Sequence, residues 1–196
     1  MLTGLAPLVS RQTKLVILGS FPGVLSLQGQ QYYGHPHNHF WPLLAALYAN
    51  SPIDMGASSY DVRSKWLLSK SLGLWDVYAS CTREGSLDSQ IRGAVLNDFS
   101  HLATLCPDLQ AVAHNGGESF KHFRRVEESM RSLAVRSSEP PLASTPPSEG
   151  TALSVVKSVG VQFYRLPSTS RANASWSFER KLAAWREVFN QHGLLE

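Results

Sequence analysis

The sequence predicts a single α/β domain, built as a three-layer sandwich around a central, mainly parallel, four-stranded sheet. Short apolar runs that stop at glycine or proline alternate with longer stretches of helical apolar spacing, which is the order of β-α units. The chain has 196 residues, enough for one hydrophobic core. Its composition, 43% hydrophobic and 17% charged, excludes a disordered or coiled-coil class.

The first strand is predicted at residues 15–18, an apolar run that gives way to a glycine-containing loop. Its brevity and the flanking glycine favour a buried strand. A helix is predicted from Phe40 to about residue 49, where apolar side chains recur with helical spacing. Asn38 or His39 is expected near its N-cap, and Pro42 is compatible with its first turn.

The middle of the chain predicts a second strand followed by a long helix. The strand falls within residues 72–78, which are mostly apolar. The helix is expected to begin at residues 86–88 and to reach about Cys106, where Pro107 ends it. The apolar positions expected on one side of this helix are Ile91, Val95, Leu96, Phe99 and Leu102.

The second half of the chain predicts two more strands and two more helices. The strands fall at residues 109–113 and 161–166, and a basic helix is expected between them at about 118–133. A C-terminal amphipathic helix is expected to begin near Ser175. Residues from about 136 to 151 contain four prolines and lack apolar periodicity, so we predict a mobile surface insertion within the single domain.

The loops that leave the carboxyl ends of the predicted strands are expected to build the functional site. Read from the sequence, these loops are GSFPG with HPHNHF, then HNGG, then LPSTS. The polar residues of these loops are therefore expected to meet on one rim of the sheet.

Charge and cysteine content limit the classes of function. A net charge of +3 and a pI of about 9.0 suit a polyanionic partner. Cys81 and Cys106 are the only cysteines, which excludes a four-thiolate iron–sulfur cluster and favours a reducing compartment. No apolar run reaches the length of a membrane span, so a cytoplasmic protein that does not contact membranes is expected.

The residues that identify several common enzyme classes are missing from these loops. His35, His37 and His39 could bind a metal in an extended segment, but no carboxylate pattern completes a ligand set, so neither a metal nor another cofactor is expected. There is no nucleophile elbow and no activated cysteine context. The loops also lack the paired carboxylates of ordinary glycosidases.

The remaining polar candidates are two amides, Asn38 and Asn115. Asn38 lies within residues 30–41, where aromatic, amide and imidazole groups are concentrated, as in a pocket for a planar heterocycle. The alternative is that Phe40 and Trp41 only begin the core face of the helix. An amide can orient water and hydrogen-bond to a leaving base, which suffices where the substrate supplies much of the electrostatics.

Several motifs together resemble one known family. In the first motif the matching residues are Gly19, Ser20, Phe21, Pro22, Gly23, Ser26, Leu27, Gln31, Tyr32, Tyr33, His35, Pro36, Asn38, Phe40 and Trp41. In the later motifs they are Leu74, Trp75, Asp76, Val77, Cys81, residues 83–88, Ile91, Arg92, Asn115, Gly116, residues 166–170, Ala172 and Asn173. These motifs resemble the hypoxanthine-DNA (deoxyinosine) glycosylases of the uracil-DNA glycosylase superfamily, over about residues 14–190 apart from the insertion.

The resemblance implies a uracil-DNA glycosylase fold and hydrolysis of the N-glycosidic bond of a flipped, deaminated base, chiefly hypoxanthine. It implies that Asn38 is catalytic and that Asn115 supports catalysis or base recognition. Phe40 is expected to stack on the base, with Tyr33 closing the pocket wall. The other substrate-binding residues implied are Gly19, Ser20, Phe21, Pro22 and Gly23. The DNA-binding residues implied are Ser168, Thr169, Ser170 and Arg171, where Arg171 replaces the usual proline of the family.

The expected partner is double-stranded DNA that contains deaminated bases, with single-stranded DNA left open, and a monomer is expected. No lysine lies in the motifs, so no Schiff-base lyase step is expected. Relatives that act on mismatched uracil or thymine carry Asn at the position of Phe21, which argues against a simple uracil enzyme. Two alternatives stay open: a uracil or thymine mismatch glycosylase of the same fold, and a catalytically silent nucleic-acid-binding module.

Overall fold

The described part of the chain alternates strands and helices. The computed structural model describes residues 1–134, 154–158 and 160–195. In chain order the elements are β1 (Leu2–Thr3), β2 (Leu15–Gly19), α1 (Val24–Gly29), α2 (Phe40–Leu47), α3 (Tyr60–Ser69), β3 (Leu72–Asp76), β4 (Tyr78–Thr82), a 3₁₀ turn (Asp88–Gln90), β5 (Arg92–Leu96), α4 (Leu102–Leu105), β6 (Ala111–Asn115), α5 (Gly117–Phe120), α6 (Phe123–Ala134), β7 (Ser154–Ser158), β8 (Val161–Leu166) and α7 (Phe178–Gln191). The insertion predicted at about residues 136–151 lies outside the described residues and stays a prediction.

The central sheet has the strand order β3-β2-β6-β8-β7. Strands β3, β2, β6 and β8 are parallel, and β7 pairs antiparallel with β8 at the edge. The four parallel strands coincide with the four segments predicted from apolar runs, apart from shifts of their ends. The predicted α/β class with a mainly parallel sheet is therefore confirmed. Strand β7 and a small sheet of order β1-β4-β5 are additions to that prediction.

Both faces of the central sheet are covered, which produces the three layers. Leu15 and Ile17 join one buried cluster with residues of α2, α3 and α7, and Val16 and Leu18 join a second cluster with residues of α4 and α6. All four of these β2 side chains are fully buried. A strand covered on both faces has no solvent side, which explains the uninterrupted apolar runs in the sequence.

The prediction of one long helix from residue 86 to about residue 106 is wrong. This segment forms the 3₁₀ turn, strand β5 and the short helix α4. Gly93 has a positive φ of 56°, which a regular right-handed helix does not contain, and β5 pairs antiparallel with β4. Leu87 and Val95 are about half exposed, so the apolar spacing does not mark one buried face. Pairing with β4 outweighs the local helical pattern.

Smaller differences affect the segment that follows. Strand β6 begins two residues later than the predicted strand and includes His114 and Asn115 instead of ending before them. The predicted basic helix is divided into α5 and α6. Because Asn115 ends a paired strand, its backbone is fixed by the sheet.

Among the described residues, no helix is both long enough and apolar enough to cross a membrane.

Candidate active site

A cleft of about 900 Å³ opens at the carboxyl ends of the parallel strands, a volume within the range of small-molecule sites. Its walls come from the loops after β2, β6 and β8, as predicted, and also from the end of β3 and the segment after β4. The predicted site residues that line the cleft are Gly19, Ser20, Phe21, Pro22, Gly23, Tyr33, Asn38, Asn115, Ser168, Thr169, Ser170 and Arg171. Phe40 is the predicted site residue that does not line it.

The loop after β2 is held in place by the segment that follows β4. The Ser20 hydroxyl donates to Asp88 Oδ1 over 2.7 Å. The Val24 N–H, in the first turn of α1, donates to Ser86 Oγ over 3.0 Å. The two segments therefore form one continuous wall of the cleft, although they are far apart in sequence.

A buried arginine supports the same wall from behind. Arg83 is 7% exposed, donates from Nη2 to the carbonyl of Pro22, and lies 5.1 Å from the centre of the Phe21 ring. Phe21 is itself 6% exposed and belongs to the second hydrophobic cluster. The Phe21 side chain therefore supports the wall from the core, and its ring offers little surface to a ligand.

Gly19 and Asp76 end neighbouring strands and face each other in register. A Cβ atom on Gly19 would lie 2.3 Å from Asp76 Oδ1, so the carboxyl group occupies space that only glycine leaves open. Asp76 and Asp88 both line the cleft. The loops considered in the sequence analysis contain no carboxylate pair, and these two carboxyl groups come from the end of β3 and from the segment after β4. The sequence analysis missed Asp76, because the predicted strand ran on to residue 78, whereas β3 ends at Asp76.

The environment of Asp76 favours its protonated form. Burial, followed by repulsion from Asp88, raises the pKa of Asp76 to about 7, and the Arg83 guanidinium opposes this shift. Burial also raises the pKa of Asp88, while its hydrogen bond from Ser20 lowers it. The cleft therefore contains a carboxyl group that still holds its proton in a large fraction of molecules at neutral pH.

Asn115 links two loops to the end of strand β6. Its Nδ2 donates to Tyr33 Oη over 3.0 Å and to Thr169 Oγ1 over 2.9 Å. Its Oδ1 accepts from the Thr169 N–H over 2.9 Å. An amide nitrogen carries two hydrogens, so both are engaged within the protein. Asn115 is therefore placed to hold the site together, and its predicted contact with the leaving base stays a prediction.

Tyr33, and not Phe40 as predicted, is the aromatic ring that faces the cleft. Phe40 is fully buried, and Tyr33 stacks on it with ring centres 3.8 Å apart and planes 15° apart. Tyr33 borders the cleft and Phe40 does not. The expectation that Phe40 stacks directly on the base is corrected, because Tyr33 covers it. Tyr33 has a positive φ of 54°, a strained backbone for this residue type.

Asn38 lies between the cleft and the start of helix α2. Its Oδ1 accepts from the Phe40 N–H over 3.0 Å, so it caps the helix from one position before the N-cap residue, His39. It lines the main cleft and also an adjoining pocket of about 330 Å³, which Arg171 shares. This placement is compatible with both the catalytic role and the capping role considered for Asn38, and neither excludes the other.

The loop after β8 divides into inward-facing and outward-facing residues. Thr169 is fully buried, and its carbonyl accepts from the His39 N–H over 3.0 Å. With its hydroxyl and N–H bonded to Asn115, Thr169 holds the loop, and its predicted contact with DNA stays a prediction. Ser168 and Ser170 are partly exposed and Arg171 is exposed, so these three residues are able to meet DNA.

Arginines give one side of the cleft a positive charge. Arg165, Arg171 and Arg180 all line it. Arg165 and Arg180 are cleft residues that the sequence analysis did not identify. Arg165 lies within the last predicted strand and Arg180 in the C-terminal helix, outside the loops considered. Guanidinium groups bind phosphates bidentately, so this side suits a polyanionic ligand.

The three histidines of the first motif do not converge. The rings of His35 and His37 lie 5.5 Å apart, and His39 packs edge-on against Phe178. Within residues 1–134, 154–158 and 160–195, no group of three or more histidine, cysteine, aspartate or glutamate side chains is placed to hold a metal ion.

Replacing Gly116 by alanine is expected to destabilise the loop junction behind Asn115. Gly116 has φ of 108°, and an added Cβ would lie 2.9 Å from the Ser168 Cβ. The strained backbone and the close contact should lower the free energy of unfolding by about 1–3 kcal/mol, measured by urea denaturation. Gly117→Ala is the matched control, because its Cβ would meet only the end of the Arg165 side chain. Equal losses in both variants would contradict this account.

The chain is similar in sequence to two DNA glycosylases. No model of a known protein family matches it. The hypoxanthine DNA glycosylase of Methanosarcina acetivorans is 31% identical over 186 residues, which are 95% of this chain and 96% of that protein. The hypoxanthine DNA glycosylase of Methanosarcina barkeri is 39% identical over 116 residues, which are 59% of this chain and 72% of that protein.

A solved structure supports the same relationship. The solution NMR structure of a candidate uracil DNA glycosylase from Methanosarcina acetivorans superimposes with a TM-score of 0.71 at 29% identity, covering 97% of this chain and 98% of that chain. Sequence and fold therefore agree over nearly the full length. The chain belongs to the hypoxanthine DNA glycosylase family, within the uracil-DNA glycosylase superfamily.

Proposed function

We propose that this protein is a monofunctional DNA glycosylase that removes hypoxanthine from DNA by hydrolysing the N-glycosidic bond of deoxyinosine, as a step of base excision repair. Its family membership supports the reaction class. The observation that carries the assignment to this site is the convergence of Tyr33, Asn38 and Asp76 on one cleft. An aromatic ring, an amide and a carboxyl group that is partly protonated at neutral pH together suit a planar base with polar edges.

Access to the cleft requires the damaged nucleotide to leave the DNA helix. Unstacking costs a few kcal/mol and is cheapest for a mispaired base, which favours deaminated sites. Arg165, Arg171 and Arg180 line the cleft, and we expect them to hold flanking phosphates. We expect double-stranded DNA to be the main substrate and the protein to act as a monomer.

Base stacking falls to Tyr33 in this proposal. Its ring borders the cleft and rests on Phe40, which is fixed in the core. The hydrogen bond from Asn115 fixes the hydroxyl end of Tyr33. Phe40 therefore contributes by holding Tyr33, and the pair forms a rigid platform for the base.

The bond cleavage follows a simple course. The oxygen of a water molecule attacks C1′ of the deoxyribose while the bond from C1′ to N9 of the base breaks, and the base leaves with the electron pair. Asn38 positions the water, and the proton that the water loses returns to the departing base or to solvent. We expect no Schiff base with the abasic sugar, because the described residues that line the cleft include no lysine.

Uracil is the second candidate base, because the structurally similar protein is a candidate uracil DNA glycosylase. Uracil and hypoxanthine both present an N–H beside a carbonyl. The smaller pyrimidine would leave part of the cleft unfilled, and a loss of stacking area weakens binding. We therefore expect hypoxanthine to be cleaved faster than uracil.

The test is single-turnover cleavage of labelled oligonucleotides that carry one hypoxanthine, uracil or xanthine, in double-stranded and single-stranded form. We expect strand breaks at hypoxanthine only after alkali treatment, since the enzyme leaves an intact abasic sugar. Faster cleavage at uracil would replace the proposed substrate. DNA binding without any cleavage, at an excess of protein, would leave a silent binding module as the function.

A further inference from the structure

We propose that Asp76 reads the base, by pairing its neutral carboxyl group with the N1–H and O6 of hypoxanthine. The carboxyl O–H donates to O6 of the base, and the carboxyl C=O accepts from N1–H. This inference rests on the proposed function, and it adds a protonation requirement to base recognition. The roles predicted for Asn38 and Asn115 include neither base reading by Asp76 nor a requirement for a protonated group.

The position of Asp76 supports this role. It is 4% exposed, it lines the cleft, and it ends strand β3 at the sheet edge. Its Oδ2 is buried and has no hydrogen-bond partner within the described residues. Buried polar atoms are almost always paired, so this carboxyl group needs a partner that the described residues do not supply. Oδ2 has almost no accessible surface, so the proposed pairing requires the carboxyl group to turn toward the base.

The fold makes specific room for this carboxyl group. Asp76 is the register partner of Gly19, and Oδ1 occupies the place where a side chain at Gly19 would begin. Both residues are held by regular sheet pairing, and the Asn97 side chain donates to the carbonyl of Asp76 over 2.8 Å. A group that reads a base needs such fixed placement, because hydrogen-bond discrimination depends on geometry.

The chemistry of the two edges is complementary. A protonated carboxyl group has one donor and one acceptor side by side, whereas an ionised carboxylate only accepts. The N1–H and O6 of hypoxanthine are a donor beside an acceptor. The neutral acid therefore makes two hydrogen bonds with this edge, and the ionised form makes one and repels O6.

The surrounding groups decide which form is present. The charged and titratable groups that interact with the Asp76 carboxyl are Asp88, Arg83, Tyr32 and Tyr33. Burial and Asp88 raise the pKa of Asp76 to about 7, against the opposing effect of Arg83. A raised pKa means that the proton is present below about pH 7 and is lost above it, so base reading should weaken as pH rises through neutrality.

A general-base role for Asp76 predicts the opposite pH dependence. A base that takes a proton from water must be ionised, so the rate would rise with pH through the pKa of Asp76. The excision activity would also be lost in Asp76→Asn, because an amide cannot act as the base that accepts this proton. The two roles are therefore separated by the direction of one pH profile.

The experiment measures single-turnover excision of hypoxanthine from about pH 6 to about pH 9, at enzyme concentrations below saturation. For the unmodified protein we expect the rate constant to fall, approaching about tenfold per pH unit above neutrality. Asp76→Asn keeps a donor beside an acceptor at every pH, so its profile should change only through ionisation of the base itself. Ionisation of hypoxanthine itself would affect both proteins equally, so the comparison removes it.

Two further variants test the same inference. Asp76→Ala should have a rate on the order of 10²-fold below that of the unmodified protein at about pH 6, because no group replaces the two hydrogen bonds, and this difference should shrink as pH rises. Asp88→Asn removes a neighbouring negative charge, which should lower the pKa of Asp76 and move the decline to lower pH. Circular dichroism and thermal melting check that each variant is folded.

Each outcome decides the matter. A declining profile that is steeper than that of Asp76→Asn supports the inference. A rising profile with an inactive Asp76→Asn overturns it in favour of a general base, and identical profiles overturn it in favour of a bystander. The unmodified protein at about pH 6 tests the proposed function separately: if it leaves hypoxanthine in place, the function itself is wrong and the inference falls with it.

Discussion

In the variant Asn38→Ala, single-turnover excision of hypoxanthine is expected to fall by a factor on the order of 10²–10³. Asn38 is an uncharged polar residue placed between the cleft and the adjoining pocket, where a water molecule could approach the sugar. A positioned polar group of this kind typically contributes that factor when charge develops in the transition state. Single-turnover rates are the appropriate measurement, because they exclude slow release of the abasic product.

The same side chain also caps a helix, so stability must be measured beside activity. The bond from the Phe40 N–H to Asn38 Oδ1 is 3.0 Å long, and its loss should cost about 1 kcal/mol of folding free energy. Asn38→Ser is the matched control, since a hydroxyl can accept the same N–H but lacks the amide. We expect Asn38→Ser to restore the melting temperature without restoring the rate. Normal excision by both variants would leave Asn38 as a helix cap only.

The location of the site was predictable because it depends on topology. Parallel strands direct their carboxyl ends to one edge, so the loops after residues 15–18, 109–113 and 161–166 had to meet. Short, uninterrupted runs of buried apolar residues mark such strands clearly, as Leu15 and Val112 illustrate. The register of these runs against each other is not needed to place the cleft.

The identity of the groups that face the cleft was only partly predictable. Asp76 ends a strand whose apolar run is interrupted by Gly73, and its significance lies in burial and in the missing partner of Oδ2. Asp88 reaches the cleft because strands β4 and β5 pair and fold the segment between them against the loop after β2. Such long-range pairing is invisible to a local pattern, which instead predicted a helix there.

The positions of Tyr33 and Phe40 relative to the cleft were mispredicted for a similar reason. Both are aromatic residues of one motif, and the sequence offers no means to tell which ring lies in front. The order depends on the positive φ of Tyr33, which turns its side chain back over the start of helix α2. Few residues other than glycine and asparagine adopt that conformation, so sequence reasoning assigns it to tyrosine rarely.

Asn115→Ala is expected to affect folding and catalysis together. The variant loses three hydrogen bonds, to Tyr33 Oη, Thr169 Oγ1 and the Thr169 N–H. Leaving these buried groups unpaired should lower the free energy of unfolding by about 2–4 kcal/mol. Release of Tyr33 and of the loop after β8 should also lower the excision rate by about 10²-fold or more, because small displacements of positioning groups have effects of that size. Urea denaturation and single-turnover cleavage measure the two losses.

Asn115→Asp separates a linking role from direct contact with the leaving base. A carboxylate at this position can accept from the Thr169 N–H and from both hydroxyls, once the hydroxyls of Tyr33 and Thr169 turn to donate. If Asn115 acts by linking the loops, this variant should regain most of the stability and most of the rate. If the Asn115 amide donates to the departing base, the Asn115→Asp variant should regain stability while its rate stays low, since a carboxylate has no hydrogen to donate. Because both amide hydrogens already bond to Tyr33 and Thr169, we expect recovery of both quantities.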